Sequence, residues 1–401
     1  MSEWREVRFQ DVIEFNPKVK LEKNKEYPFI GIADIDESSF NVFEKNREEY
    51  TGQSSNKFKS GDVLFSRITP CLENRKIARA FLESSDIGFG STELFVFKGK
   101  QNETLTEFVS YLAQTDSIVL PAINSMSGAS GRQRADSNFI KKLKINIPDL
   151  KVQEKIANFL STYDKLIENN NRRIATLEKL AEEVYKEWFV RMRFPGYENT
   201  KFEKGLPTGW EVKRVKSLGE VITGKTPSTK VPEYYDGEIM FIKTPDMHGN
   251  VFTAQTESYL SNEGSESQVN KLLPEDSIMV SCIGTGGVVS LNMFPAHTNQ
   301  QINSIVLKDS VLREWAFFTL KSMKKTIELF GATGATMTNL SKGKFEGLKI
   351  LYPSNELLVE FNTITKPFLE KIKRIMLSNQ NLRKQRDLLL PRLMNGTIEV
   401  K

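Results

Sequence analysis

The side chains best suited to chemistry in this sequence are cations and amides that lie in runs of small polar residues. Arginine and lysine neutralise phosphates and reach O6 and N7 of guanine, whereas asparagine and glutamine pair with adenine. Small polar loops let a backbone approach a phosphate chain closely. We predict a DNA-binding surface from the recurrence of such residues in two parts of the chain, because any single one is more often a solvated side chain. Its members are Arg67, Thr69, Arg75, Ser130, Arg132, Gln133, Arg134, Lys225, Thr226, Lys243, Ser281, Asn299, Gln300 and Thr336.

The stretch GEVITGKT at 219–226 has the letters of a nucleotide-binding phosphate loop. Such a loop closes a strand and opens a helix, whose N–H groups hold the phosphate. Here Pro227 and Pro232 follow five residues apart, and a helix that begins at a proline does not carry another in its second turn. We therefore expect a strand-to-loop turn at Gly224 and no nucleotide site.

Other motifs for catalysis are weak. GTGG at 284–287 is typical of a hairpin turn, and NPKV at 16–19 lacks the second proline and the aromatic residue of the amino-methyltransferase motif. Only two histidines are present, and no carboxylate–lysine cluster resembles a nuclease centre. We predict a non-catalytic chain that holds no metal and no cofactor of its own.

The composition describes an ordinary globular protein with a slight excess of positive charge. Its 401 residues are 39% hydrophobic and 27% charged, with a formal net charge of +5, and they suffice for two or more domains. No apolar run approaches the roughly 20 residues of a membrane span, and MSEWREV lacks the apolar region of a secretory signal. Two cysteines are too few for a disulfide framework. We expect a cytoplasmic protein with no membrane association.

Four stretches occur twice in the same order, which predicts an internal repeat. Each copy opens with a stretch in which a Trp is followed by an Arg and an apolar residue. An acidic turn, an apolar strand ending in Ser and Ile, and a loop of small residues follow, and the copy closes with a short strand and a proline. The pairs are SEWREVRF (2–9) with TGWEVKRV (208–215), KSGDVLFSRI (59–68) with PEDSIMVSCI (274–283), SMSGASGRQR (125–134) with GATGATMTN (331–339), and FIKKLKINIP (139–148) with FEGLKILYP (345–353).

A long amphipathic helix is predicted after each closing proline. Apolar residues recur every three or four positions from Gln153 to Phe189 and again from Leu358 to Leu393, where Pro367 should kink or restart the helix. Packing on its own domain is the simplest use of such a stripe, but these helices are too long for one small domain to cover. We expect the two to pair as an antiparallel coiled coil. Asn170 and Asn379 interrupt the stripes. They either fix the register of the pair or mark a solvated or kinked position.

These features resemble the specificity (S) subunits of type I restriction-modification systems. The resembling stretches are IPDLKVQEKIANFLSTYDKLIENNNRRIATLEKLAEEVYKEWF (147–189), FPGYENTKFEKGLPTGWEVKRVKSLGEVITGKTPST (194–229), VSCIGTGGVV with TNQQIN (280–303) and LLLPRLMNGTIEV (388–400). They cover both copies and both helices. The first copy is matched mainly through GASGRQR and its closing strand, so base contacts do not carry over one by one.

The resemblance implies an α+β fold with two α/β target-recognition domains, each followed by a long helix, the two helices forming an antiparallel coiled coil. We expect a first target-recognition domain at 1–150, a central helical spacer at 151–192, a linker at 193–209, a second target-recognition domain at 210–353 and a C-terminal helical spacer at 354–401.

The resemblance also implies partners. Each domain would read one half of a split, asymmetric double-stranded DNA target, and the helices would dock two modification (methyltransferase) subunits, with restriction (endonuclease/translocase) subunits outside. S-adenosylmethionine, ATP and magnesium would bind those partners. The alternative is a coiled-coil scaffold whose domains bind protein. The helix positions expected to bind partners are Leu160, Ile167, Ile174, Trp188, Ile372, Leu382 and Leu389.

Overall fold

The computed structural model describes residues 4–203, 205–332 and 338–400, and the chain divides into two compact units. Unit 1 comprises Met1–Asn169 and Gln380–Lys401, and unit 2 comprises Asn170–Asn379. Each long helix therefore contributes one part to each unit.

The strands and helices are short except for two. In chain order the strands are β1 (Arg5–Arg8), β2 (Ile13–Phe15), β3 (Lys25–Ile30), β4 (Asn41–Phe43), β5 (Asn46–Tyr50), β6 (Asn56–Lys59), β7 (Val63–Ser66), β8 (Ile77–Phe81), β9 (Ile87–Gly90), β10 (Leu94–Gly99), β11 (Lys144–Ile147), β12 (Phe202–Glu203), β13 (Leu206–Pro207), β14 (Glu211–Arg214), β15 (Gly219–Thr223), β16 (Tyr235–Ile242), β17 (Phe252–Thr253), β18 (Ser258–Leu260), β19 (Ile278–Ser281), β20 (Ile283–Gly284), β21 (Val289–Asn292), β22 (Ala296–Thr298), β23 (Ile302–Leu307), β24 (Thr338–Asn339) and β25 (Lys349–Tyr352). The α-helices are α1 (Phe9–Val12), α2 (Thr106–Leu112), α3 (Asp116–Asn124), α4 (Ser137–Lys141), α5 (Leu150–Tyr185), α6 (Asn262–Glu266), α7 (Arg313–Ser322), α8 (Lys324–Gly331), α9 (Lys342–Gly347) and α10 (Asn355–Met394).

The predicted repeat is confirmed by the sheet topology. Unit 1 contains a five-stranded sheet of order β2-β10-β7-β8-β4, and unit 2 contains one of order β15-β23-β19-β21-β17. In each sheet only the last pair of strands is parallel. The closing strand of each copy pairs with its opening strand, Arg5 opposite Ile147 and Glu211 opposite Tyr352. The second sheets differ, with order β5-β3-β9-β6 in unit 1 and β18-β16-β22 in unit 2.

The central strand of each five-stranded sheet is buried on both faces. In β7, Val63 and Phe65 point into one apolar cluster while Leu64 points into another. In β19 the same alternation separates Ile278 from Met279. A continuous apolar run is what a strand covered on both sides requires.

The two long helices, of 36 and 40 residues, pack together in antiparallel fashion within each unit. In unit 1, Ile156 and Leu160 of α5 share a core with Leu390 and Leu393 of α10. In unit 2, the Tyr185 ring of α5 lies 6.4 Å from that of Phe361 of α10. The predicted helix pair is therefore confirmed.

The two asparagines that interrupt the stripes meet inside unit 2. Asn170 Nδ2 donates to Asn379 Oδ1 at 2.8 Å, and Asn379 Nδ2 donates to Asn171 Oδ1 at 2.9 Å. Since Asn379 is only 2% exposed, the polar interruption is buried and paired rather than solvated.

Of the kink or restart expected at Pro367, the restart is wrong, because α10 runs unbroken from Asn355 to Met394. Pro367 lies on the exposed side of the helix, and so does Thr363, whose carbonyl loses its helical donor. Water can reach that carbonyl, while buried Phe361, Leu369 and Ile372 hold the opposite side in place.

Among the described helices, none contains a stretch that is both long and apolar enough to cross a bilayer.

Candidate nucleic-acid interface

In unit 1 the loop of small residues is tied to the end of the central strand. Loop A (residues 127–134) lies beside the segment that follows β7, 64 residues earlier in the chain. Thr69 N donates to Gln133 O at 3.0 Å, Gln133 N donates to Thr69 Oγ1 at 3.1 Å, and Ala135 N donates to Arg67 O at 2.8 Å. The structure thus brings together Arg67, Thr69 and Gln133, three of the residues predicted to contact DNA.

Loop A closes on itself and presents its tip to solvent. Ser127 and Arg134 exchange two backbone hydrogen bonds of 3.1 and 2.9 Å. Gly128 and Gly131 have φ values of 128° and 76°, a backbone conformation that residues other than glycine rarely adopt. Ser130 and Arg132 are exposed at the tip, and within the described part of the chain the Arg132 guanidinium has no hydrogen-bond or ion-pair partner. A phosphate or base edge can therefore approach both.

Arg134 is held by an acid that the sequence analysis missed. Its Nε donates to Glu93 Oε2 at 2.9 Å and its Nη2 donates to Glu93 Oε1 at 2.6 Å. These hydrogen bonds lower the pKa of Glu93 and raise the pKa of Arg134. The Arg134 side chain remains 43% exposed.

Two other predicted arginines have internal partners. The Arg67 guanidinium lies 4.6 Å from the centre of the Phe95 ring, a cation–π contact. Arg75 turns toward the end of α2, where it donates to Gln114 O at 2.6 Å and pairs with Asp116. Arg67 therefore lies at the candidate interface, whereas the Arg75 side chain is committed elsewhere in unit 1.

In unit 2, four predicted residues, Lys225, Thr226, Asn299 and Gln300, meet where β15 and β22 end. Lys225 N donates to Thr298 O at 2.9 Å, and Thr226 Oγ1 donates to Gln300 Oε1 at 2.6 Å. Lys225 and Gln300 are exposed, and Asn299 is half-buried beside them. No helix follows β15 before the 3-10 turn at Pro232–Tyr234, so the strand-to-loop turn is confirmed, and this segment lacks the strand-to-helix geometry of a phosphate loop. Gly224 is required because a Cβ there would lie 2.2 Å from Asn299 O.

Ser281 and Lys243 are placed differently from the expectation. Ser281 is fully buried, where its hydroxyl donates to Thr285 O at 2.6 Å and accepts from Val288 N at 2.8 Å. It shapes the hairpin turn predicted at GTGG, which joins β19 to its antiparallel neighbour β21. Lys243 Nζ donates to Ser258 Oγ at 2.7 Å. The Ser281 hydroxyl is therefore used inside the turn, whereas the half-buried Lys243 has one internal partner.

The second small-residue loop (residues 331–339) lies partly outside the described residues. The predicted DNA contact Thr336 falls in the part that is not described. Its described ends repeat the attachment of loop A. Ile283 pairs with Asn339 in β20 and β24, as Ile68 pairs with Arg134 in unit 1. Ala332 likewise bridges to Thr338 as Ser127 bridges to Arg134.

A turn before β10 and a turn before β23 share one hydrogen-bonded frame. In turn A (residues 91–93) the bonds are Ser91 N to Ile30 O (3.4 Å), Glu93 N to Ser91 Oγ (3.1 Å), Leu94 N to Ser91 O (3.2 Å) and Arg67 N to Glu93 O (2.9 Å). In turn B (residues 299–301) they are Asn299 N to Ile242 O (3.1 Å), Gln301 N to Asn299 Oδ1 (3.2 Å), Ile302 N to Asn299 O (3.2 Å) and Cys282 N to Gln301 O (2.8 Å). The two turns have no residue in common, since turn A reads STE and turn B reads NQQ. Their equivalence is therefore not visible in the sequence.

The helix positions expected to bind partners mostly face the interior of their own unit. Leu160, Ile167, Trp188 and Ile372 are buried, and Ile174, Leu382 and Leu389 are half-buried. Other apolar residues of the same helices face outward. Phe159, Leu166, Leu180, Val359, Ile364 and Leu388 are exposed by 38% to 65%.

The described residues contain no group of three or more His, Cys, Asp or Glu side chains arranged to hold a metal ion.

Comparison with known proteins identifies the family. The type I restriction modification DNA specificity domain matches twice, at residues 1–179 and 207–378. The chain therefore belongs to the type I restriction-modification DNA specificity family, and its role is that of a DNA-specificity subunit.

Similar proteins agree with this assignment. The HindI specificity subunit of Haemophilus influenzae is 31% identical, over 99% of this chain and 100% of that protein. The MjaIX specificity subunit of Methanocaldococcus jannaschii is 28% identical over 74% and 70% of the two chains. The crystal structure of the type I S subunit from M. genitalium has the same fold, with a TM-score of 0.57 at 16% identity over 98% of this chain and 96% of that one.

Proposed function

We propose that this chain is a non-catalytic subunit, acting in the cytoplasm, that reads a split and asymmetric double-stranded DNA target. Unit 1 reads one half of the target and unit 2 reads the other. The observation that carries the proposal is that turns A and B share one pattern of hydrogen bonds, whereas the side chains at their exposed positions differ. Identical subunits related by a two-fold axis read palindromes, whereas two non-identical copies in one chain read two different half-sequences.

The contacts with DNA come from the ends of the central strands and from the loops beside them. In unit 1 the exposed cations of loop A, Arg132 and Arg134, lie next to Thr69. In unit 2 Lys225 lies beside the amides of Asn299 and Gln300. Cations on glycine-rich backbone suit phosphates and guanine, and amides suit adenine. Thr336 and the rest of the second loop belong to the same proposal by the symmetry of their attachment.

A domain exchange tests the division of labour. The chain, co-expressed with its modification subunit in a strain without other DNA methylation, should produce a split methylated motif. Replacing residues 205–350 with the corresponding part of another family member should alter only one half of that motif, since each unit closes its own sheet. Sequencing of modified bases gives the readout. A palindromic motif, or a change in both halves, would contradict the proposal.

The isolated protein separates DNA reading from the scaffold alternative. DNA-binding subunits lose affinity steeply as salt rises, because bound phosphates release counterions. We expect retention on duplex DNA at low salt and its loss at high salt. Absence of DNA binding at low salt would favour protein-binding domains instead.

We further propose that the paired helices dock two modification subunits, which carry the S-adenosylmethionine, with restriction subunits, ATP and magnesium joining outside. The outward apolar residues are the docking points, since the inner stripe is used within the chain. Phe159 of α5 and Ile364 of α10 are 38% and 39% exposed and are separated by the same 205 residues as the closing strands. Half-buried Tyr163 and Phe368 are related in the same way. One docking point in each copy matches two copies of one partner.

Single charge substitutions test the docking points. Phe159→Asp and Ile364→Asp should each remove one modification subunit from the complex, as measured by native mass spectrometry. Phe202→Asp is the matched control, because Phe202 is 49% exposed but lies in β12, outside the helices. Full assembly of both helix variants would place the partners elsewhere.

A further inference from the structure

We infer that turn A is a base-reading element of unit 1, the counterpart of turn B in unit 2, and that Glu93 is the positioning residue for Arg134. This inference rests on the proposed function, in which each unit reads one half of the target. It assigns a role to residues 91–93, which no sequence motif singles out.

The equivalence of the two turns follows from their hydrogen bonds. Each of the four hydrogen bonds of turn A has a counterpart in turn B. The turn residues that form them are separated by a constant 208 positions between the two copies. Thr92 and Gln300 therefore occupy the same position, the middle residue of the turn, and both side chains are exposed. If Gln300 meets a base edge in one half-site, Thr92 occupies the same position in the other.

The third residue of each turn organises a different group. In turn B, Gln301 Oε1 accepts from Asn299 Nδ2 at 3.2 Å and from Thr244 Oγ1 at 3.4 Å. The result is a cluster of neutral amides, which suits adenine. In turn A, Glu93 instead holds the guanidinium of Arg134, which arrives from loop A.

The geometry of the Glu93–Arg134 pair leaves a base-reading group at the surface. Glu93 engages Nε and Nη2, while Nη1 lies 3.4 Å from Arg132 O, a weak hydrogen bond. Because the Arg134 side chain is 43% exposed, the remaining N–H groups are accessible to the O6 and N7 acceptors of guanine. Turn A therefore presents a fixed cation where turn B presents amides, and the two half-sites differ at the corresponding base.

Exchanging the side chains of turn A for those of turn B tests the inference. The variant Thr92→Gln/Glu93→Gln, in complex with its modification subunit, should change or relax one position in one half of the methylated motif. Methylation of the original motif should fall by about tenfold or more, the discrimination that one good base contact provides. The other half should stay the same. Thr92→Gln alone, at an exposed position, is the fallback if the double variant is poorly folded.

The positioning role of Glu93 has its own readout. Glu93→Ala and Arg134→Ala should relax the same motif position, the two changes combined should relax it no further, and Glu93→Asp should restore part of the preference. A purely structural role would lower the thermal midpoint without relaxing one base position. Gln101→Ala is the matched control, since Gln101 is exposed at the other end of β10, roughly 20 Å away along the strand.

The outcomes separate this inference from the function on which it rests. If the wild-type complex yields no split motif, the proposed function fails. If it yields a split motif that both turn-A variants leave unchanged, turn A does not read DNA and only the inference is overturned. A change in both halves would also overturn it.

Discussion

Arg386 Nη1 of α10 donates a hydrogen bond of 2.7 Å to Asp164 Oδ1 of α5, 222 residues earlier in the chain. The two side chains are 3% and 6% exposed. Tyr111 of α2 donates to the other oxygen of Asp164 at 2.6 Å, and burial raises the pKa of Tyr111. One carboxylate of α5 thus links α10 and α2 in unit 1.

Removing one member of this pair should destabilise unit 1, because the other charge stays buried with weaker compensation. Asp164 would keep the Tyr111 hydroxyl, and Arg386 would keep its ion pair with exposed Asp387. We expect Asp164→Asn and Arg386→Met each to lower the free energy of unfolding by about 3–5 kcal/mol, measured by urea denaturation. The matched control is Glu6→Gln, which breaks the exposed pair with Lys144 and should cost about 0–1 kcal/mol. Equal effects in the two pairs would show that burial of Asp164 does not govern its contribution.

Gly224 should not tolerate a methyl group. A Cβ at this position would lie 2.2 Å from Asn299 O and 2.3 Å from Thr298 O, both backbone atoms. We expect Gly224→Ala to cost about 1–3 kcal/mol and to shift turn B, which weakens DNA binding as well. Gly343→Ala, at an α9 position where a Cβ meets nothing within 4 Å, should leave both properties unchanged. A stable Gly224→Ala variant with normal affinity would contradict the tight packing of this turn.

His297 should make unit 2 sensitive to mild acid. It is fully buried, with Nε2 2.8 Å from Ser265 Oγ, and burial lowers its pKa to about 4. The ordinary value is about 6.5, so between these values the unfolded chain binds the proton and the folded chain does not. Stability therefore falls as the pH decreases from about 6.5 toward 4.

The variant His297→Gln isolates this contribution. Between pH 6.5 and 4, its urea midpoint should fall less steeply than that of the wild type. Parallel pH profiles would show that another group causes the loss.

Arg132 and Arg67 test the surface that faces DNA. Arg132→Ala should weaken binding by about 1–3 kcal/mol if the guanidinium meets a base edge, and should reduce the salt dependence by about one charge if it meets a phosphate. Arg67→Ala should weaken binding too, since Arg67 lies on Phe95 beside loop A. Fluorescence anisotropy with the cognate duplex gives the measurement. Unchanged affinity in both variants would mean that DNA binds another surface of unit 1.

The repeat, its closing strands and the long helices are determined by the sequence alone. Each depends on local periodicity or on near neighbours, as when alternating Ile145 and Ile147 end a strand before Pro148, or when apolar steps of three and four define α5. The turn at Gly224 is determined in the same way, because Pro227 and Pro232 exclude a helix that begins there.

What only the tertiary structure decided depends on residues that are distant in the chain. Glu93 meets Arg134 across 41 positions, and nothing near STE indicates that pairing. Likewise, the periodicity of α5 marks Leu160 and Phe159 as apolar but does not say that the former is buried and the latter faces outward. Ser281 has the residue type of a DNA contact, yet its hydroxyl is hydrogen-bonded to Thr285 O and Val288 N of the adjoining turn. Local pattern specifies the elements, whereas burial and long-range hydrogen bonding select which side chains remain available to a partner.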